Sequence, residues 1–265
     1  MNKRLTTFVF VVFLLLATSI IPQKCFSSVD YVKVPFTSIS NSRISANRLD
    51  TDHTYFNFSD NILLGSSHVP FSIPSDVGNV NNYYNTSVNF PLSQNASINT
   101  FIANSTDVFV LLAAGGTNIP SGPKIFGHIN LLFNNGSIIS TYLKEGSNIR
   151  EWILDDASNY RTTTDPAVEN AWIGVETKDQ WKSTIIDILR IPIDQSYKNL
   201  ILTKLEFVDT TVDQSGLHFL GATVKTETPP PPSPVVFIPG FGGSWNREAL
   251  MENKTVGQSE WGLTP

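Results

Sequence analysis

The chain has 265 residues, 41% of them apolar and 15% charged, with a formal net charge of −5 at pH 7. The length allows one large or two small domains. With charge well below the about 25% usual in soluble domains, the polar surface has to come mostly from Asn, Ser and Thr. Negative charge without a basic stripe argues against a nucleic-acid partner, and the single cysteine, Cys25, leaves no disulfide framework to expect.

The first element in chain order is a leader. Lys3-Arg4 precede an almost unbroken apolar stretch, Leu5–Ile21, and Pro22 then breaks it ahead of small residues at Ser27 and Ser28. This is the three-part layout of a secretory signal peptide, with cleavage expected after Ser27. The other reading is an uncleaved anchor, because the stretch stands at the lower edge of a spanning length. Either way the expected location is secreted or cell-envelope, with membrane contact only through this segment. Pro22-Gln23-Lys24 before Cys25 do not form a lipoprotein pattern. Asn57, Asn85, Asn95, Asn104, Asn135 and Asn253 each begin an Asn-x-Ser/Thr triplet, which agrees with surface loops.

From Val29 to Thr226 short apolar runs alternate with turn residues. Ser40–Thr100 is rich in Asn, Ser and Asp; within it His68–Ile73 reads as a short core strand. Further strands are expected at Val108–Ala114, Phe126–Phe133, Ser137–Leu143, Ala171–Val175, Thr184–Ile193, Leu200–Val208 and Leu217–Val224. Asn135-Gly136 is the strongest hairpin signal, since both residues tolerate the positive φ of a type I′ turn. No apolar stripe of helical period follows the leader. Closely spaced strands without helices predict an all-β antiparallel sandwich over residues 28–226.

Residues 227–234 contain Pro229 to Pro232 and Pro234, which favour a stiff polyproline II linker. Val235-Val236-Phe237-Ile238-Pro239-Gly240-Phe241-Gly242-Gly243-Ser244 follows: a buried strand running into a glycine-rich turn. This turn resembles the oxyanion-hole loop of lipase- and esterase-like α/β-hydrolases. The resemblance implies that the Phe241 amide is an oxyanion donor, shaped by Gly240 and Gly242. No Gly-x-Ser-x-Gly and no histidine follow in residues 235–265, so these residues are expected to be the incomplete start of a hydrolase domain. The missing C-terminal hydrolase domain would be a partner, and this chain is not expected to hydrolyse esters alone.

Several segments of the sandwich region, Val108–Gly116, Gly127–Ser137, Gly146–Trp152 and Ala171–Gly174, resemble the galactose-binding-like jelly rolls attached to secreted hydrolases. That likeness implies an accessory domain for a glycan or cell-surface polymer, with ligand on edge loops or a concave sheet face. Sugar binding needs exposed aromatics that stack on ring faces, beside amides and charged groups. Trp181, flanked by Lys178, Asp179, Gln180 and Lys182, is the first choice for that role, and Tyr83-Tyr84 is the second. Trp152 and Trp172 fall in fold-defining segments and are expected in the core. Arg150 is expected to pair structurally with Glu151 or with Asp155-Asp156. Asp155-Asp156 and Asp209…Asp213 read as solvated turn residues rather than calcium ligands. Neither a metal site nor a cofactor is expected. A non-enzymatic, adhesin-like glycan-binding module is the alternative to the hydrolase-linked reading.

Overall fold

A computed structural model describes residues 28–42, 59–74, 81, 84–86, 95–116, 122–154, 160–175, 183–211 and 215–228. All of them fall within one compact unit, Phe26–Pro230; a second unit, Met1–Cys25 with Pro231–Pro265, holds none. The leader, the prolines of the linker and the hydrolase-like opening thus lie outside the described residues. The strands are β1 (Ser28–Val34), β2 (Ser59–Leu64), β3 (Val69–Ile73), β4 (Tyr84–Asn85), β5 (Asn95–Ile102) and β6 (Ser105–Gly115). They continue as β7 (Ile125–Phe133), β8 (Ile138–Lys144), β9 (Val168–Val175), β10 (Ser183–Pro192), β11 (Leu202–Asp209) and β12 (Gly216–Thr228). A 3-10 turn, Gln195–Tyr197, lies between β10 and β11. Among the described residues no helix is long and apolar enough to cross a membrane.

The protein is all-β. A six-stranded sheet runs β1-β12-β6-β10-β9 with β4 beside β12, and a four-stranded sheet runs β5-β11-β7-β8. Every pairing between strands is antiparallel. One core cluster joins the two sheets: Val108, Val110, Leu112, Leu189, Phe219 and Val224 meet Ile98, Ile129, Leu131, Leu205 and Phe207. Phe207 and Phe219 touch across it, ring centroids 4.8 Å apart. This is the expected β-sandwich.

A third layer explains the continuous apolar runs. The β2–β3 hairpin lies on the outer face of the six-stranded sheet, where Leu64, Val69, Phe71 and Ile73 pack on Phe109, Leu111, Ile186, Ile188 and Leu220. Side chains alternate between faces along a strand, so β6 sends Val108, Val110 and Leu112 inward and Phe109, Leu111 and Ala113 outward. A strand buried on both faces reads as an unbroken apolar run. In β12 a bulge between Phe219 and Gly221 shifts the parity. Phe219 and Ala222 therefore share the inner cluster while Leu220 faces out.

Two expectations are corrected. The Asn135-Gly136 turn joins β7 and β8 with Gly136 at φ 84, but Asn135 has no positive φ. The Gly136 amide donates to Phe133 (2.9 Å) and the Phe133 amide to Ser137 (3.0 Å). These bonds describe a three-residue loop, a type I turn closed by a left-handed glycine, instead of a two-residue type I′ turn. Second, the strand expected to end at Val224 runs on to Thr228, because Lys225–Thr228 pair with Tyr31–Ser28 of β1. β1 itself and β5 were hidden in stretches of weak patterning.

Candidate functional site

The outer face of the four-stranded sheet is left uncovered among the described residues and carries a largely polar surface, and Tyr142, Ile138 and Phe101 of this sheet are exposed. Alternation buries Ile129, Leu131, Leu143, Leu205 and Phe207 and turns the residues between them outward. Register aligns these in rows: Tyr142, His128, Val208 and Asn95, then Ser140, Asn130, Glu206 and Ser97. At about 4.8 Å between strands, each row spans roughly 14 Å. Tyr142 is 61% exposed, and its ring meets His128 at a tilt of 57° with centroids 5.7 Å apart, a ring contact that orients it.

Hydrogen bonds tie the second row together. Ser140 Oγ donates to Asn130 Oδ1 (2.7 Å) and Asn130 Nδ2 to Glu206 Oε2 (3.3 Å). Lys204 Nζ lies 3.7 Å from Glu206 Oε1. An oriented ring beside an amide, a hydroxyl and a carboxylate can stack on one face of a sugar and hydrogen-bond its hydroxyls. Tyr142 lies inside a strand legible in the sequence, and its position opposite in phase to Leu143 was the signal that it faces out.

Of the residues expected to bind ligand, Trp181 and Tyr83 lie outside the described residues, as do Phe241, Gly240 and Gly242. Tyr84 is described, and it is buried at 5% exposure. It pairs with Phe219 across β4 and β12 and lies nearly parallel to that ring, 12° between planes. Its face is committed to the core and is not offered to a ligand. Burial, and then the nearby Asp209 carboxylate, raise its phenol above the ordinary value.

Asp209 is not a solvated turn residue. It is buried and accepts hydrogen bonds from Thr86 Oγ1, from the Thr211 amide (2.7 Å) and from Thr211 Oγ1 (2.6 Å). Thr86 Oγ1 in turn accepts from the Leu217 amide at 2.7 Å, so Asp209 fastens β11 to β12. Asn85 is 4% exposed and its peptide groups pair with the Asn41 side chain. Asn85 and Thr86 thus belong to the interior, not to a surface loop.

Arg150 is structural, with a different partner from either one expected. Nε donates to Asp187 Oδ2 (2.7 Å) and Nη2 to Oδ1 (2.6 Å), a bidentate pair; Nη1 reaches the Arg161 carbonyl (3.0 Å) and Nη2 also contacts Asn170 Oδ1. Asp187 and Asn170 sit opposite each other in β10 and β9. Neither strand position was visible as a partner from residue spacing. Burial raises the Asp187 carboxyl above its ordinary value and outweighs the hydrogen bonds and charge of Arg150. Trp152 is in the outer core as expected, 9% exposed, while Trp172 packs at its margin.

His218 lies beside Trp152, with ring centroids 5.8 Å apart, and burial lowers its imidazole to about 4. It is therefore neutral at pH 7. Among the described residues no three or more His, Cys, Asp or Glu side chains come together in a way that could hold a metal ion. No protein-family model, no curated protein and no solved structure matches the chain.

Proposed function

We propose that the sandwich is a carbohydrate- or surface-binding accessory module of the galactose-binding-like, jelly-roll kind, carried by a secreted serine hydrolase of lipase or esterase type. The observation that carries the binding role is the exposed Tyr142 ring, paired with His128 in the row beside Ser140–Asn130–Glu206. A ring held in tilted contact with His128 provides a stacking surface with little conformational entropy to lose on binding. The link to a hydrolase rests on the sequence Val235–Ser244 alone. There the Phe241 amide would join an oxyanion hole, and the nucleophile would come from residues other than 235–265. The module would hold the enzyme near a polymer or cell surface.

A glycan array probed with the full chain tests the binding role. Binding should fall at least tenfold in Tyr142→Ala, on the scale of a lost stacking contact and its hydrogen bonds. Loss in Trp181→Ala, with Tyr142→Ala unchanged, would move the site to the 176–182 segment. No glycan bound at all would contradict a binding module.

A further inference from the structure

The opposite outer face of the sandwich carries a second feature, a cleft of about 370 Å³ on the six-stranded sheet. Its lining includes Tyr31, Phe109, Ile188, Glu169, Arg190 and Lys225. Phe109 and Ile188 are buried at its base, and Tyr31 is 38% exposed. The Tyr31 and Phe109 rings lie 6.3 Å apart at a tilt of 56°. The volume falls in the range of small-molecule sites.

The charges in this cleft are arranged by ladder register. Asp107 faces Lys225 across β6 and β12, and Arg190 lies diagonally beside it on β10. Asp107 is 3% exposed. Its Oδ1 accepts from Arg190 Nε at 2.7 Å, and Lys225 Nζ is 3.7 Å from Oδ2. One buried carboxylate thus faces two cations. The Arg190 side chain is 56% exposed; with Nε held, Nη1 and Nη2 have no protein partner among the described residues. A guanidinium fixed at Nε presents its two Nη groups as a planar fork, the geometry that takes a carboxylate through two bonds.

The other end of the cleft is built differently. Glu169 accepts from the amides of Ser66 (3.1 Å) and Ser67 (3.2 Å) and from both their hydroxyls. Burial pushes its carboxyl up, but these hydroxyl and amide donors outweigh burial and hold it below the ordinary value. It fastens the β2–β3 turn, where Gly65 has φ +69 and a Cβ would fall 2.6 Å from Glu169 Oε1. That end is rigid and negatively charged, its carboxylate already holding four donors, and it is hostile to a second carboxylate.

We propose that this cleft binds a uronic-acid unit of an acidic polysaccharide, its carboxylate on the Nη pair of Arg190 and its ring against Tyr31. A ring bearing a single carboxylate matches a cationic fork at one end, aromatic surface beside it and a negative Glu169 end that excludes a second carboxylate. The site is on a different sheet from Tyr142 and does not depend on it.

The test is calorimetric titration of the full chain with trigalacturonate, with its fully methyl-esterified form and with a tripeptide bearing a free C-terminal carboxylate. Trigalacturonate should bind saturably and the ester and the tripeptide at least tenfold more weakly, the scale of a charged hydrogen-bond pair. Arg190→Lys keeps a cation for Asp107 but loses the fork, and should weaken trigalacturonate about tenfold with the melting temperature unchanged. Tyr31→Ala should weaken it too, and Tyr142→Ala should not. Equal binding of acid and ester, equal binding of the tripeptide, an unaffected Arg190→Lys variant or no binding of trigalacturonate would each overturn the proposal. Loss in Tyr142→Ala with Arg190→Lys unaffected would overturn it while leaving glycan recognition by the other sheet intact.

Discussion

The four-stranded sheet turns Tyr142, Ser140, Asn130 and Glu206 to solvent, whereas the six-stranded sheet packs Phe109, Leu111 and Ile188 beneath the β2–β3 hairpin. Both sheets supply the same core between them, so the difference lies in what covers the far side. A face covered by a further layer is committed to stability, and the Asp107–Arg190 cleft lies beside that layer. An uncovered face keeps its polar row and its exposed ring. The comparison separates residues that hold the fold from residues free to bind, and substitution should divide them the same way.

The largest effect is expected at the covered sheet's buried ion pair. Arg150→Met leaves Asp187, 2% exposed, without its counter-charge, and should cost about 3–5 kcal/mol in urea denaturation. Arg150→Met combined with Asp187→Leu should recover much of that loss, since an apolar pair of similar volume carries no uncompensated charge. Between the sheets, Phe207→Ala should cost a similar ~3–5 kcal/mol by opening a cavity. Tyr142→Ala, on the uncovered face of the same sheet, should change stability by no more than about 0.5 kcal/mol. A large loss in Tyr142→Ala would break the comparison.

The pH dependence sharpens it on the covered side. His218 is held neutral in the fold down to about pH 4, while in the unfolded chain it takes up a proton near pH 6.5. Its folded value is depressed, so the unfolded chain binds the proton first and stability falls as the pH drops below the unfolded value. Between pH 7 and 5 the loss should be about 2 kcal/mol. A His218→Gln variant should lose most of that slope in denaturation measured across this window. A change of opposite sign is expected at Thr184, fully buried with no hydrogen-bond partner for Oγ1 among the described residues. Thr184→Val should leave stability unchanged or raise it by up to about 1 kcal/mol.

Much of the architecture was legible because alternation and unbroken apolar runs report how many faces of a strand are buried. Seven strands from Val108 onward and the core strand after His68 could be placed that way. β5 escaped because its outward Asn95, Ser97 and Asn99 resemble a polar loop when the inward Ala96, Ile98 and Ile102 are not read as the second phase. β1 escaped because five of its seven residues are exposed and its strand character comes from pairing with β12. The polar partners were illegible for a different reason. Arg150 finds Asp187, and Tyr84 finds Phe219, through ladders that join distant segments, and no local spacing encodes those meetings. Tyr142 could be placed on an outer face from phase alone. That no other described strand covers that face is visible only once the sheet order is known.

The most direct test of the account is chemical-shift mapping of the full chain titrated with a glycan that the array identifies. Recognition by the uncovered face predicts saturable shifts at Tyr142, His128, Asn130 and Glu206, adjacent in two rows, with Tyr84 and the core unmoved. Shifts confined to residues 176–182, with the Tyr142–Glu206 surface silent, would contradict it.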